Sequence, residues 1–300
     1  MIAASRNNLV AVGLVVVIGG ANGVAIKYVN RELPIIWGVA LRFGIAAAVL
    51  LVLMLVMRLP IPSVRLLFGA SVFGVLNIAA SHVFLHWGLQ YTSAASAQVL
   101  LATVPLATLL LAVVQRVELA NLAAAIGAVI SLVGVGLIYW EELGEGGQLA
   151  GLLALFLSGL CVAQASVLLK RLPAMDPFVT NVVAVSVAAP MLVILATLAG
   201  EPWTLPQTLS GWVALAYLAV PGSAVLFALY IYLLQRVGPS MASNVFLLFP
   251  LTATILSAIV LAATPRPSFL IGTTVVLFGV YWGLSRGESD RKRSARTACQ

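Results

Sequence analysis

Long apolar runs separated by short polar breaks dominate this chain. No Asp, Glu, Lys or Arg occurs between Arg65 and Arg116, a gap of fifty residues. Other uncharged gaps lie between Arg6 and Lys27, Glu118 and Glu141, Glu145 and Lys170, Asp176 and Glu201, and Arg236 and Arg266. A membrane-crossing helix takes about 20 apolar residues, so each gap holds one or two crossings. The pattern predicts ten spans, at 9–29, 34–57, 65–87, 93–114, 119–140, 149–170, 177–199, 211–234, 239–262 and 268–285. Turn signals mark the breaks: Pro60-Ile61-Pro62, Gly144-Glu145-Gly146-Gly147, Gly200-Glu201-Pro202, Gly238-Pro239 and Pro265-Arg266-Pro267. The expected fold is an all-α integral membrane protein of ten transmembrane helices.

Landmarks recur 145 positions apart: Gln90/Gln235, Ala97/Ala242, Pro105/Pro250, Gly127/Gly272 and Val135/Val280. An earlier stretch matches at a spacing of 143, with Lys27/Lys170 and Pro34/Pro177. The duplication predicts a first five-span repeat (1–146), a second (147–287) and a basic tail (288–300). Five is odd, so the second copy enters the membrane from the side opposite to the first. The copies are then inverted about a pseudo-two-fold axis in the membrane plane, around a central cavity. Such repeats can exchange two mirror-related conformations, each open to one side.

Composition excludes a soluble domain: 62% of the 300 residues are hydrophobic and 8% charged. Placing both termini in the cytoplasm puts Arg6, Arg58, Arg65, Arg116, Lys170, Arg171, Arg236, Arg286, Arg291, Lys292, Arg293 and Arg296 inside. Lys27, Arg31 and Arg266 fall outside, and Arg42 lies within span 2. This bias orients a multi-pass protein of the cytoplasmic (inner) membrane. The net charge of +7 is therefore topological. The basic tail reads as a contact for lipid headgroups rather than nucleic acid. Trp37, Trp87, Trp140, Trp203 and Trp212 fall at outer span ends and Trp282 near an inner end, as an interfacial belt predicts. Cys161 lies in span 6 and Cys299 in the tail, too far apart for a disulfide.

Candidate chemistry follows from polar residues inside spans, which are costly without partners. These are Asn22 (span 1), Asn77, Ser81 and His82 (span 3), Gln98 (span 4), Gln164 (span 6), Ser223 (span 8) and Asn244 (span 9). Asn77 and Ser81 are four apart and share a face; Ser240, Ser243 and Asn244 form another stripe. The set would border a mid-membrane cavity, or else join helices by hydrogen bonds. Arg42 lies eight residues into span 2, about 12 Å along a helix. Its burial costs at least about 2.5 kcal/mol unless satisfied. It would hold a substrate carboxylate, or snorkel outward, or clamp carbonyls at a neighbouring helix end. His82 and His86, at i and i+4, could share a metal but read as packing or interfacial histidines. No metal site or cofactor is expected. Pro105 and Pro250 sit at matched positions and predict matching kinks, candidate hinges. Gly19/Gly23 and Gly279/Gly283 are GxxxG pairs that predict close helix contact.

No enzyme constellation is present, and no span interior carries Asp or Glu. A cavity here suits a net-neutral, partly apolar solute. An integral membrane enzyme acting on lipid would need acids, His or nucleophiles clustered at one interface. A non-transporting scaffold would need no cavity.

Several stretches resemble the drug/metabolite transporter superfamily, EamA branch: Ala40-Leu41-Arg42-Phe43, Gly88-Leu89-Gln90-Tyr91-Thr92-Ser93-Ala94, and Pro105 followed by Glu118. Within that branch the chain is similar to bacterial aromatic amino-acid exporters of the YddG type. The resemblance implies a central cavity lined by spans 1, 3, 4, 6, 8 and 9, and export of small metabolites. The second repeat departs from the first, with Val185 in place of Arg42 and Ala263 in place of Glu118. The expectation is a monomeric secondary transporter that exports amino acids, aromatic or hydrophobic ones first, by alternating access. A nucleoside, drug or sugar-derivative carrier is the sibling reading.

Overall fold

The computed structural model describes residues 6–60, 62–91, 100–138, 149–173, 175–261 and 267–297. Among them the chain is helical, and the helices group into ten rods. These are α1 (Arg6–Val29), α2 (Ile35–Val56), α3 (Val64–Leu89), α4 (Val104–Val114), α5 (Leu122–Ile138), α6 (Leu149–Arg171), α7 (Pro177–Leu198), α8 (Leu209–Val237), α9 (Val245–Leu261) and α10 (Pro267–Thr297). One helical turn, Pro239–Ala242, precedes α9. Among the described residues six rods are long and apolar enough to cross a membrane: α1, α2, α3, α6, α7 and α8. The stretches Val104–Val114, Leu122–Ile138 and Pro267–Gly283 are shorter apolar helices. The chain is an all-helical integral membrane protein. The helix of α10 continues through the predicted tail as far as Thr297.

Lipid offers apolar side chains as good a solvent as a neighbouring helix does, so packing rests on close backbone approach and hydrogen bonds. The principal contacts pair α2 with α7, α5 with α10, α1 with α8 and α9, and α6 with α3 and α4. Exchanging each rod for the one five places on maps every one of these contacts onto itself or onto another. The matched rods α5 and α10 run antiparallel: Gly127 abuts Gly279 and Gly283, while Gly134 abuts Gly272 and Val276. The Ser131 hydroxyl donates to the Gly127 carbonyl at 2.9 Å and to the Val276 carbonyl at 3.2 Å. The Gly279/Gly283 pair thus makes the close contact its spacing predicts. Gly19/Gly23 does so in part. Gly19 faces the Phe249 ring and Gly20 faces Thr252, but Gly23 has nothing within 4 Å.

The largest core joins α1, α2, α7 and α8 with parts of α3 and α6, around Phe43, Leu50, Phe73, Leu192 and Ile231. A second core, with Val135, Leu247, Leu251 and Val276, joins the α5–α10 pair to α9.

Both α3 and α8 are interrupted at mid-length by one π turn, Val75–Ala80 and Val220–Val225. The two turns are 145 residues apart, the spacing of the sequence repeat. Pro221 explains the second, since it has no N–H for the α-helical ladder. The first contains no proline.

Candidate functional site

Polar side chains gather around these two π turns. In α8 the turn lies about 20 Å along the helix from Leu209, at mid-membrane depth for a rod of this length. Arg42 reaches it from α2. Its Nε donates to the Ser223 hydroxyl at 2.8 Å and its Nη2 to the Gly222 carbonyl at 2.8 Å. Arg42 is 3% exposed, and neither of these partners is a carboxylate. Asn22 of α1 donates to the same Gly222 carbonyl at 3.2 Å. Asn181 of α7, fully buried, donates to the Ala224 carbonyl at 2.8 Å. Ser223 in turn donates to the Leu218 carbonyl at 2.8 Å. Of the roles open to Arg42, the structure displays a clamp, on one backbone carbonyl and the neighbouring hydroxyl, at a π turn rather than a helix end.

Around the α3 turn the hydrogen bonds are local. The Ser81 hydroxyl donates to the Asn77 carbonyl at 2.6 Å, and His82 Nδ1 donates to the Ile78 carbonyl at 2.9 Å. That bond puts the ring proton on Nδ1 and leaves Nε2 as an acceptor. Ser158 of α6 donates to the Ser81 carbonyl at 2.8 Å. The Asn77 amide nitrogen, the Asn22 amide oxygen and both ring nitrogens of His86 are buried without partners. In a membrane interior each such unpartnered group is expensive. The rings of Phe43 and Phe227 flank His82 at 4.9 and 6.1 Å, and the Arg42 guanidinium lies 5.0 Å from the Phe43 ring centre. Among the described residues no group of three or more metal-binding side chains includes the His82–His86 pair.

The structure therefore brings Asn22, Arg42 and Ser223 together at one turn, and Asn77, Ser81 and His82 at the other. Gln98 lies outside the described residues. Gln164 stands apart, accepting from Gln115 Nε2 at 2.7 Å at the end of α4. Asn244 occupies the break between the turn Pro239–Ala242 and α9. Pro105 sits in the first turn of α4, directly after a two-residue break at Ala102 and Thr103 that separates α4 from the helical Leu100 and Leu101. Pro250 lies inside α9.

Sequence reasoning passed over Asn181, although an amide among valines was visible. It also took Trp37 as an interfacial belt residue. Trp37 instead is buried, stacks on Trp203 with ring centres 5.0 Å apart, and donates from Nε1 to the Thr204 carbonyl at 2.7 Å. Trp87, Trp203 and Trp212 are partly exposed, as a belt requires. Beside the Trp37–Trp203 stack two carboxylates exchange partners between the loops. Glu201 accepts from the N–H groups of Ile36 and Trp37 at 3.1 and 2.6 Å, at the start of α2. Glu32 accepts from the N–H groups of Gln207 and Thr208 at 2.7 and 3.1 Å, and from the Thr208 hydroxyl, at the start of α8. Each negative charge satisfies free N–H groups at the positive end of a helix dipole.

The opposite face is also tied. Lys170 Nζ donates to the Gln235 carbonyl at 2.9 Å, Gln235 Nε2 to the Met175 carbonyl at 2.8 Å, and Arg171 to the Gln115 carbonyl. A small cavity of about 80 Å³ there is lined by Leu66, Lys170, Leu172, Met175 and Gln235 among others. The π-turn residues do not line it.

Comparison with known proteins agrees with this architecture. The sequence model of the EamA-like transporter family matches twice, at residues 8–140 and 149–284. An uncharacterized inner membrane transporter of Escherichia coli K12, YedA, is 27% identical over 248 residues, covering 80% of this chain and 78% of the relative. An uncharacterized transporter of Bacillus subtilis, YyaM, is 27% identical over 251 residues, covering 80% and 81%. One of Clostridium kluyveri is 24% identical over 233 residues, covering 75% of each. A solved crystal structure superposes with a TM-score of 0.79 at 20% identity, covering 95% of this chain and 99% of that one, and shares its fold.

Proposed function

The chain belongs to the EamA-like transporter family, and from that premise we propose that it is a secondary transporter exporting amino acids or similar small neutral metabolites across the cytoplasmic membrane. The carrying observation is the chemistry of the mid-helix polar set. It holds neutral amides, hydroxyls and imidazoles, with Arg42 as its formal charge and Phe43 and Phe227 beside it. Arg42 is already committed to Ser223 and Gly222. A net anion would find no free cation there and a net cation no carboxylate, so the neutral donors and acceptors and the flanking rings favour a net-neutral, partly apolar solute.

Transport runs by alternating access between two inverted five-helix halves. The exchange-symmetric packing and the antiparallel α5–α10 pair support that reading, as does the matched pair of π turns. Both termini lie in the cytoplasm and the Glu32–Glu201 face is periplasmic, a reading that the excess of basic residues on one face supports. The named relative of the inner membrane supports the same compartment.

The test is counterflow in proteoliposomes with labelled Phe, Trp, Leu and Thr, with and without a pH gradient. Exchange of at least one is expected. Failure to move any member of a broad amino-acid and metabolite panel, in either direction, overturns the proposal. Asn77→Ala and His82→Ala are expected to lower the transport rate about tenfold or more at unchanged membrane expression, because each removes a polar group at the turn. If both variants transport normally, the solute does not meet the α3 turn.

A further inference from the structure

The two π turns are matched in position but held in opposite ways. At the α3 turn, the Asn77 and Ile78 carbonyls are satisfied by Ser81 and His82 of the same helix. These bonds travel with the turn when it moves. One neighbour takes part, Ser158, at the Ser81 carbonyl just past the turn. The Asn77 amide nitrogen is spare. At the α8 turn, the Gly222 and Ala224 carbonyls and the Ser223 hydroxyl accept from three other helices: Asn22 of α1, Arg42 of α2 and Asn181 of α7. These bonds break if the turn moves alone. The sequence repeat aligns Asn77 with Gly222, 145 positions on. One half carries a spare donor where the other carries a bare glycine, whose missing Cβ would fall 2.3 Å from the Asn22 oxygen.

From this contrast we infer that Arg42 is a positioning residue: with Asn22 and Asn181 it braces the α8 turn as a fixed pivot, and leaves the α3 turn as the hinge that bends during transport. The inference rests on the alternating-access reading. It explains why one half has a buried arginine and the other Val185. A two-pronged, charge-assisted bond to a hydroxyl and a carbonyl is stronger than its neutral counterpart and sets the geometry of both acceptors. In a medium with no water to replace it, its loss leaves the Ser223 hydroxyl oxygen without its donor and the Gly222 carbonyl with the Asn22 bond alone. A symmetric rocker would bend at both turns. A braced one moves α3 against a stationary α8, so residues on α3 define which conformation faces the solute.

Peptide-resolved hydrogen–deuterium exchange on the full-length protein in lipid nanodiscs, with no solute added, tests this. Amides at 75–80 are expected to exchange about tenfold faster than those at 220–225. Arg42→Met should raise exchange at 220–225 by about tenfold and leave 75–80 unchanged, and Arg42→Lys, with a single ammonium in place of the fork, should fall between. Asn181→Val carries the same test without removing a charge, with a smaller rise confined to 220–225. Equal exchange at the two turns of the parent protein overturns the inference, as does an equal rise at both turns in the Asn181→Val variant. The measurement needs no transport. A protein that moves no solute yet shows unequal exchange keeps the brace and loses the transport reading; equal exchange in a working transporter does the reverse.

Discussion

Gly127→Ala is expected to cost the protein about 1–3 kcal/mol, near the upper end of that range for overpacking. The added Cβ would lie 2.6 Å from the Gly279 carbonyl oxygen and 2.7 Å from the Gly283 Cα. Both obstacles are backbone of α10, so no side chain can swing aside. Relief requires α5 and α10 to separate, which also weakens the Ser131 bond to Val276. The same helix pair supplies a replicate: Gly134→Ala meets Val276 N and the Gly272 oxygen at 2.7 and 2.8 Å. It supplies a control as well. A Cβ on Gly283 would find its nearest atom at 3.6 Å, an ordinary contact. Thermal unfolding of the purified protein in detergent should therefore show a large fall in midpoint for Gly127→Ala and Gly134→Ala, and little change for Gly283→Ala. Equal midpoints for all three would mean that this helix pair is looser than its geometry states.

The rods were legible in the sequence because the bilayer reads charge gaps directly. The span predicted at 65–87 is the helix Val64–Leu89, and that at 177–199 is Pro177–Leu198. A helix that must satisfy its own backbone in lipid leaves little freedom over where it starts and stops. What failed to show was anything that depends on a partner far along the chain. Arg42 stood out as a buried charge, but its acceptors lie 180 and 181 residues away, at a turn where an α-helix was expected. The α8 turn had a local mark in Pro221-Gly222, whereas the α3 turn has none, since Val75–Ala80 is an ordinary helical sequence. Glu201 showed only in the Gly200-Glu201-Pro202 turn signal and as the end of an uncharged gap, and Glu32 drew no reading, because periodicity says nothing of the partner of a carboxylate between spans. Trp37 sat at a span end and satisfied the belt rule, while its stacking on Trp203, a contact from the other half, decides its role.

Removing both loop carboxylates should open the face they close. Glu201 accepts from N–H groups in the first turn of α2 and Glu32 from those of Gln207 and Thr208, just before α8, so the two bridges hold the same pair of loops and should act together. Glutamine keeps the shape of each side chain and removes the negative charge that the helix ends and N–H groups favour. With Cys161→Ser and Cys299→Ser as background, spin labels at Asn30→Cys and Leu205→Cys would report the gap. The parent should give one narrow, short distance distribution, and the Glu32→Gln/Glu201→Gln variant a broader one with a longer component. Superimposable distributions would show that the Trp37–Trp203 stack alone closes this face. The pH response follows from the same contacts. The Thr208 hydroxyl and N–H hold the Glu32 carboxyl below its ordinary value of 4.5, helped by the Gln207 N–H and opposed by partial desolvation. A carboxyl held low contributes to closure above its free value and loses that contribution as the pH falls through the held value. The Glu32 bridge is therefore fully made at neutral pH and yields only in acid, below the ordinary value of 4.5. Titrating the label distance from pH 8 to pH 5 should leave it unchanged. A lengthening within that window would assign the gating proton to another group on this face and remove Glu32 as its sensor.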